Sequence, residues 1–250
     1  MKKKIILLSG IVFLTFSCKK ENTTPTNKES SSTNITLKGE YAATIKDVDG
    51  NSYKTVKLGG QTWMAENLKT TRFSDSTEIQ IIKDDASSLS YHNSGCSEYL
   101  HDASIGKKYG KLYDWYTIDR VKNGNKNICP SGWHLPKIEE WKELVEYLGG
   151  HEVAGGYLKQ AGTENWLSPN KDANNASLFN ALPGGESILV NSDKALFEKL
   201  GSTGTWWSYN FDEEDYDVSA LVLILSAENS NVSYRNAYKR EGLSVRCLKD

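Results

Sequence analysis

Apolar positions fall into distinct rhythms along the chain. Residues 5–16 form a short apolar run interrupted by Ser9 and Gly10, directly behind Lys2, Lys3 and Lys4. A basic start followed by such a run is the layout of a cleaved export signal, and it is shorter than the roughly 20 residues a membrane span needs. Ile138, Trp141, Leu144, Val145 and Leu148 recur at helical spacing, which predicts a helix over 136–148. Glu139 and Glu140 suit its positive end and Gly149-Gly150 its stop. A shorter helix is expected around 157–160, ending near Gly162. Asp47-Val48-Asp49-Gly50-Asn51 marks a turn between extended runs that lead to Gly59-Gly60 and Met64, which reads as a hairpin. Strands are expected at 178–182, 205–209, 219–225, 232–234 and 243–248. A hairpin, then helices, then mainly antiparallel short strands is an α+β plan.

Composition divides the chain. Small Ser17 precedes Cys18, and polar Lys19-Lys20-Glu21-Asn22 follows, a pattern that resembles a lipobox with Cys18 as the lipid-bearing first residue of the mature protein. Residues 18–40 are rich in Ser, Thr, Asn, Lys and Glu. They lack the apolar surface to offset ordering entropy, so they read as a lipidated flexible tether behind a 1–17 signal peptide. Residues 41–250 suffice for one domain. The expected location is the cell envelope, on a bacterial membrane, with the outer membrane favoured. Thirty basic against 32 acidic residues give a net charge of −2, and no basic cluster outside the leader supports nucleic-acid binding.

With Cys18 assigned to lipid, three cysteines remain: Cys96, Cys129 and Cys247. Pairing Cys129 with Cys247 would close most of the domain into one loop, worth about 4–5 kcal/mol by the chain-entropy relation. Cys96 would then be a leftover thiol in a polar, exposed loop, open to pairing between molecules.

Several blocks occur together in order: Gly60-Gln61-Thr62-Trp63-Met64-Ala65-Glu66-Asn67-Leu68, Tyr109-Gly110-Lys111-Leu112-Tyr113-Asp114-Trp115, Cys129-Pro130-Ser131-Gly132-Trp133-His134-Leu135-Pro136, Trp206-Trp207-Ser208 and Ser244-Val245-Arg246-Cys247-Leu248. This series resembles the Fibrobacter succinogenes major paralogous domain, with the likeness running from about Asp47 to Asp250. The resemblance implies a fold akin to C-type-lectin-like and formylglycine-generating-enzyme-like domains, and it favours the Cys129–Cys247 bridge. It implies no activity, because fold-level likeness does not carry function. The Glu-Pro-Asn and Gln-Pro-Asp calcium–sugar motifs of C-type lectins are absent.

Candidate chemistry is sparse. Cys129 with His134 has the types of a nucleophile and base, but a disulfide-forming cysteine is not a free thiolate. His92, Cys96 and His101, with Asp102, are metal-ligand types whose spacing fits no strong motif, so a solvated insertion is the preferred reading. The turn at Asp47 lacks the spacing of a calcium loop. The acidic run Asp212-Glu213-Glu214-Asp215-Tyr216-Asp217 offers hard oxygen ligands, and Ca²⁺ is the one cofactor it brings into view. Of seven tryptophans, Trp63, Trp133, Trp141 and Trp206 are assigned to the core, while Trp115, Trp166 and Trp207, with Tyr209 and Tyr216, are assigned to the surface. Trp207, Tyr209, Asp212, Asp215, Tyr216 and Asp217 therefore form the leading ligand site, for a glycan or protein. The expected function is a lipid-anchored binding module without catalytic activity. An adhesin or assembly subunit is the alternative, and an oxidase-like enzyme ranks last.

Overall fold

The computed structural model describes residues 39–83, 94–191, 194–209 and 219–250. Its architecture is α+β, with four short helices and small antiparallel sheets. The largest sheet runs in the order Glu40–Tyr41, Thr55–Leu58, Gln61–Met64, Leu248–Lys249, Trp133–His134. A separate two-stranded hairpin, Ile45–Lys46 with Ser52–Tyr53, turns around Asp47, whose Oδ1 accepts the Asp49 and Asn51 N–H groups and whose Oδ2 accepts the Tyr53 hydroxyl at 2.6 Å. That carboxylate organises the turn.

A second sheet joins Thr203–Trp207, Ser219–Ser226 and Val232–Tyr238, pairing Trp206 with Leu223 and Leu223 with Tyr234. Beside it lies a hairpin of Gly184–Asn191 and Lys194–Leu200 that the sequence reading did not include. The expected strand at 178–182 does not form. Leu178 and Asn180 take positive φ values of 57° and 56°, outside the extended region.

The helix Ile138–Tyr147 is the predicted one, shortened at both ends, with Ile138, Trp141, Leu144 and Val145 buried. The second helix is Ala154–Leu158, earlier than expected. A further helix, Ala103–Tyr109, is capped by Asp102, whose Oδ1 accepts the Ser104 N–H at 2.7 Å. No helix among the described residues is long and apolar enough to cross a membrane.

The buried residues form two cores. Trp207, Trp115, Met64, Cys129 and Cys247 belong to one, and Trp206, Trp63, Trp141, Phe179 and Leu248 to the other. Adjacent residues on a strand face opposite ways, and here both faces are covered. Segment 243–249 runs between the cores, changing neighbours as it goes. Leu243 exchanges hydrogen bonds with Tyr113, Ser244 accepts from Trp207, Val245 from Leu68, and Cys247 from Met64. Only Leu248–Lys249 therefore counts as strand, although the segment is buried from Leu243 to Leu248.

Arg246 is wholly buried in that segment. Its Nη1 donates to the Phe179 carbonyl and its Nη2 to Asn67 Oδ1 at 2.7 Å, while the guanidinium lies 4.1 Å over the Phe179 ring. Trp206 Nε1 donates to the same Asn67 oxygen at 2.8 Å. Lys159, also buried, donates to the carbonyls of Lys171, Ser226 and Asn229 and so ties the loop at Lys171 to the turn that follows Ser219–Ser226.

The Cys129–Cys247 disulfide forms, across a sequence separation of 118. Cross-linking over such a span removes about 4–5 kcal/mol of chain entropy from the unfolded state. A Cys129→Ala, Cys247→Ala double variant should lose stability of that order in urea unfolding. A loss under about 1 kcal/mol would contradict the entropic account.

Candidate functional site

Trp133–His134 is an edge strand of the main sheet. Trp133 points into the core and His134, by alternation, is left partly exposed. Leu248 lies opposite His134 in register, so the chain's next turn of direction brings Asp250 alongside, fixed by its N–H donating to the Gly132 carbonyl at 3.0 Å. From the other side the helix Ile138–Tyr147 begins, with Glu140 in its first turn. Its carboxylate accepts the Lys137 N–H at 2.7 Å, satisfying a donor that the helix start leaves over.

His134 bridges the two acids. Nδ1 lies 2.7 Å from Asp250 Oδ1, and Nε2 lies 3.1 Å from both Glu140 carboxylate oxygens. The Glu140 bond raises the imidazole pKa above its ordinary value, and Asp250 adds to the rise against the opposing effect of burial. Burial alone would raise the Glu140 carboxyl, but the bonds from His134 and the Lys137 N–H hold it below its ordinary value.

This cluster borders a cleft of about 940 Å³. Ile118, Ile128 and Leu135 give it an apolar floor, while Arg120, Asn125, Asn127 and Lys137 supply polar groups. Asn127 sets the wall by donating to the Trp133 carbonyl at 2.7 Å and accepting the Cys129 N–H at 3.0 Å. Tyr209 closes the cleft from the second sheet, its N–H donating to the Pro136 carbonyl at 2.7 Å. The Tyr209 ring stacks on Trp115 at 6.0 Å and 19°, and Trp115 meets Trp207 edge-on at 5.4 Å.

Of the expected site residues, Tyr209 lines this cleft. Trp207 does not: it is fully buried, and its Nε1 donates to the Tyr113 carbonyl at 2.7 Å. Trp115 and Trp166 are likewise core rather than surface, at 3% and 1% exposure. For Trp207 the expectation rests on alternation, which separates the faces of a strand without saying whether the second face is covered. Asp212, Asp215, Tyr216 and Asp217, like Cys18 and His92, lie outside the described residues.

The other candidates have structural duties. Cys96 is not an exposed loop thiol but a buried strand residue, and burial pushes its thiol up to about 12, which removes the thiolate needed for exchange. His101 directs Nδ1 to the Ile82 carbonyl at 3.1 Å, and Asp102 caps a helix. Among the described residues, no group of three or more His, Cys, Asp or Glu side chains is placed so that it could hold a metal ion. The three-residue cluster of His134, Glu140 and Asp250 was missed, since 116 positions separate His134 from Asp250. Only Glu140, placed in a predicted first turn, left a local signal.

The cluster makes stability depend on pH with a definite sign. His134 has its folded pKa raised, so its contribution is complete below its ordinary value of 6.5 and is lost as pH rises through the raised value. Glu140 has its folded pKa lowered, so its contribution is present above 4.5 and is lost as pH falls through the lowered value. Urea midpoints should therefore decline as pH rises above 6.5, and His134→Gln should flatten that decline. Equal declines in both proteins would contradict the assignment.

Residues 56–249 match the family model described as the Fibrobacter succinogenes major domain. No curated protein and no solved structure matches the chain. The match spans most of the chain and takes in the Trp133–His134 strand, the helix bearing Glu140, the disulfide and Tyr209, so the chain belongs to the Fibrobacter succinogenes major domain family.

Proposed function

We propose that this protein is a lipid-anchored binding module of the cell envelope, held through Cys18, which seats a glycan residue in the Tyr209 cleft. The observation that carries the reading is the aromatic stack at the cleft wall. Trp207 and Trp115 are buried behind Tyr209 and back its ring at the cleft. Apolar sugar faces pack on such rings, while hydroxyl groups bond to the polar rim. Arg120, Asn125 and Lys137 give the rim donors at the same cleft.

A binding role also accounts for the state of His134. Both ring nitrogens are engaged by carboxylates, and no serine, threonine or cysteine is found among the described residues lining the cleft. A general base needs a free nitrogen within reach of a nucleophile. A protein ligand is the second reading, favoured by Val121, which stands 68% exposed at the cleft rim as an apolar contact.

The test is a panel of soluble glycans titrated against the protein and its Tyr209→Ala variant, with the fold checked by near-ultraviolet circular dichroism. Losing the platform should cost about 2 kcal/mol, roughly a 30-fold weaker Kd. A bound glycan whose affinity ignores Tyr209→Ala would move the site elsewhere. Binding of no glycan, together with a stoichiometric protein partner, would replace the glycan reading by the protein one.

A further inference from the structure

Three separate stretches of chain converge on one imidazole. His134 comes from a sheet edge, Glu140 from the first turn of a ten-residue helix, and Asp250 from beyond the closing strand. The other titratable or charged groups bordering the same cleft are Lys137 from the helix start, Arg120 from the loop after Ile118, and Tyr209 from the second sheet. Both contacts to His134 are of hydrogen-bond length, 2.7 Å on Nδ1 and 3.1 Å on Nε2. A neutral imidazole has one N–H and one lone pair, so only the imidazolium donates to both acids at once.

The two acids are not held equally. The Glu140 carboxylate keeps a second donor, the Lys137 N–H, and its side chain is 27% exposed. The Asp250 side chain is 61% exposed and has His134 as its partner among the described residues. We propose that His134 is a proton-operated clamp on the cleft: as the imidazolium it ties Asp250 to Glu140 and fixes one wall, and on deprotonation it keeps Glu140 and releases the Asp250 side chain. The proton leaves Nδ1 for solvent while the Nε2–H stays on Glu140. The Nδ1 lone pair then faces the Asp250 carboxylate, a repulsive contact that the exposed side chain relieves by turning away.

Resting on the glycan reading, the clamp makes the cleft better ordered on the acid side of the His134 transition. Release adds an unpaired negative charge and a mobile side chain to the wall, so binding weakens as pH rises. By linkage, an occupied cleft holds the His134 proton more tightly.

The decisive experiment is an NMR titration of the full chain, following the His134 ring nitrogens and the carboxyl carbons of Glu140 and Asp250 from acid to alkaline pH. Both ring nitrogens should carry protons below the transition, and the midpoint should lie above 6.5. The Asp250 carbon should shift with that midpoint while the Lys137 amide stays in place. Asp250→Asn should lower the midpoint by about half a unit or more, through loss of a facing charge. A His134 ring that is neutral below pH 6.5 with both acids ionised, an Asp250 carbon silent through the transition, or an unchanged midpoint in Asp250→Asn would each overturn the clamp. Dextran titrated at either end of the pH range separates this from the binding reading. Weaker binding on the alkaline side supports the clamp, and pH-independent binding through Tyr209 overturns its gating role while leaving the glycan reading intact. Absence of dextran binding at both ends counts against the glycan reading alone, because the NMR midpoints still decide the clamp.

Discussion

The fold depends on the burial of segment 243–248 between two cores. It exchanges backbone hydrogen bonds in turn with Tyr113, Trp207, Leu68 and Met64, then enters the main sheet between Gln61–Met64 and Trp133–His134. These partners come from distant parts of the sequence, so the segment is where separate elements are held in register. Arg246 sits at its centre, with its guanidinium bonded to the Phe179 carbonyl and to Asn67 rather than to an acid. Burial of that charge is tolerated because fixed dipoles and the Phe179 face replace water around it. Burial also lowers its pKa.

The same segment builds the cleft. Cys247 is bonded to Cys129, which fixes the loop leading to Trp133. Leu248 pairs with His134, and the two residues that follow bring Asp250 to Nδ1. The cleft wall is therefore an outcome of how the chain closes, not of a local motif. Tyr209 reaches it because its N–H is taken by the Pro136 carbonyl at the threshold of the helix bearing Glu140.

How much of this was legible depended on the range of the signal. The helix around Trp141 was readable because its apolar spacing is local, and the strands at Trp206 and Leu223 because alternation is local. The hairpin from Gly184 to Leu200 was missed, and the extended reading around Phe179 failed where Leu178 and Asn180 turn to positive φ. Exposure was the harder property. The surface expectation fails for Trp207 because a strand between two cores buries both of its faces, and for Trp115 and Trp166, in a short helix and a loop, because local sequence does not report what packs over them. Cys96 was misjudged for the same reason, its polar neighbours hiding a fully buried thiol. At the cleft, Tyr209 was singled out from composition. His134 was weighed only against Cys129, because Asp250 meets it through tertiary pairing alone.

On the proposed reading, a glycan would meet the Tyr209 ring, stacked on Trp115, and the polar groups of Arg120, Asn125 and Lys137 at one cleft. The central claim is that this cleft is where the ligand sits. Chemical-shift mapping of a bound glycan onto the assigned protein tests it most directly. The account predicts perturbations concentrated at Val121, Asn125, Lys137 and Tyr209, with the Lys159 and Arg246 surroundings unmoved. Perturbations gathered on the Val232–Tyr238 strand or the Gly184–Leu200 hairpin, with Tyr209 silent, would contradict it.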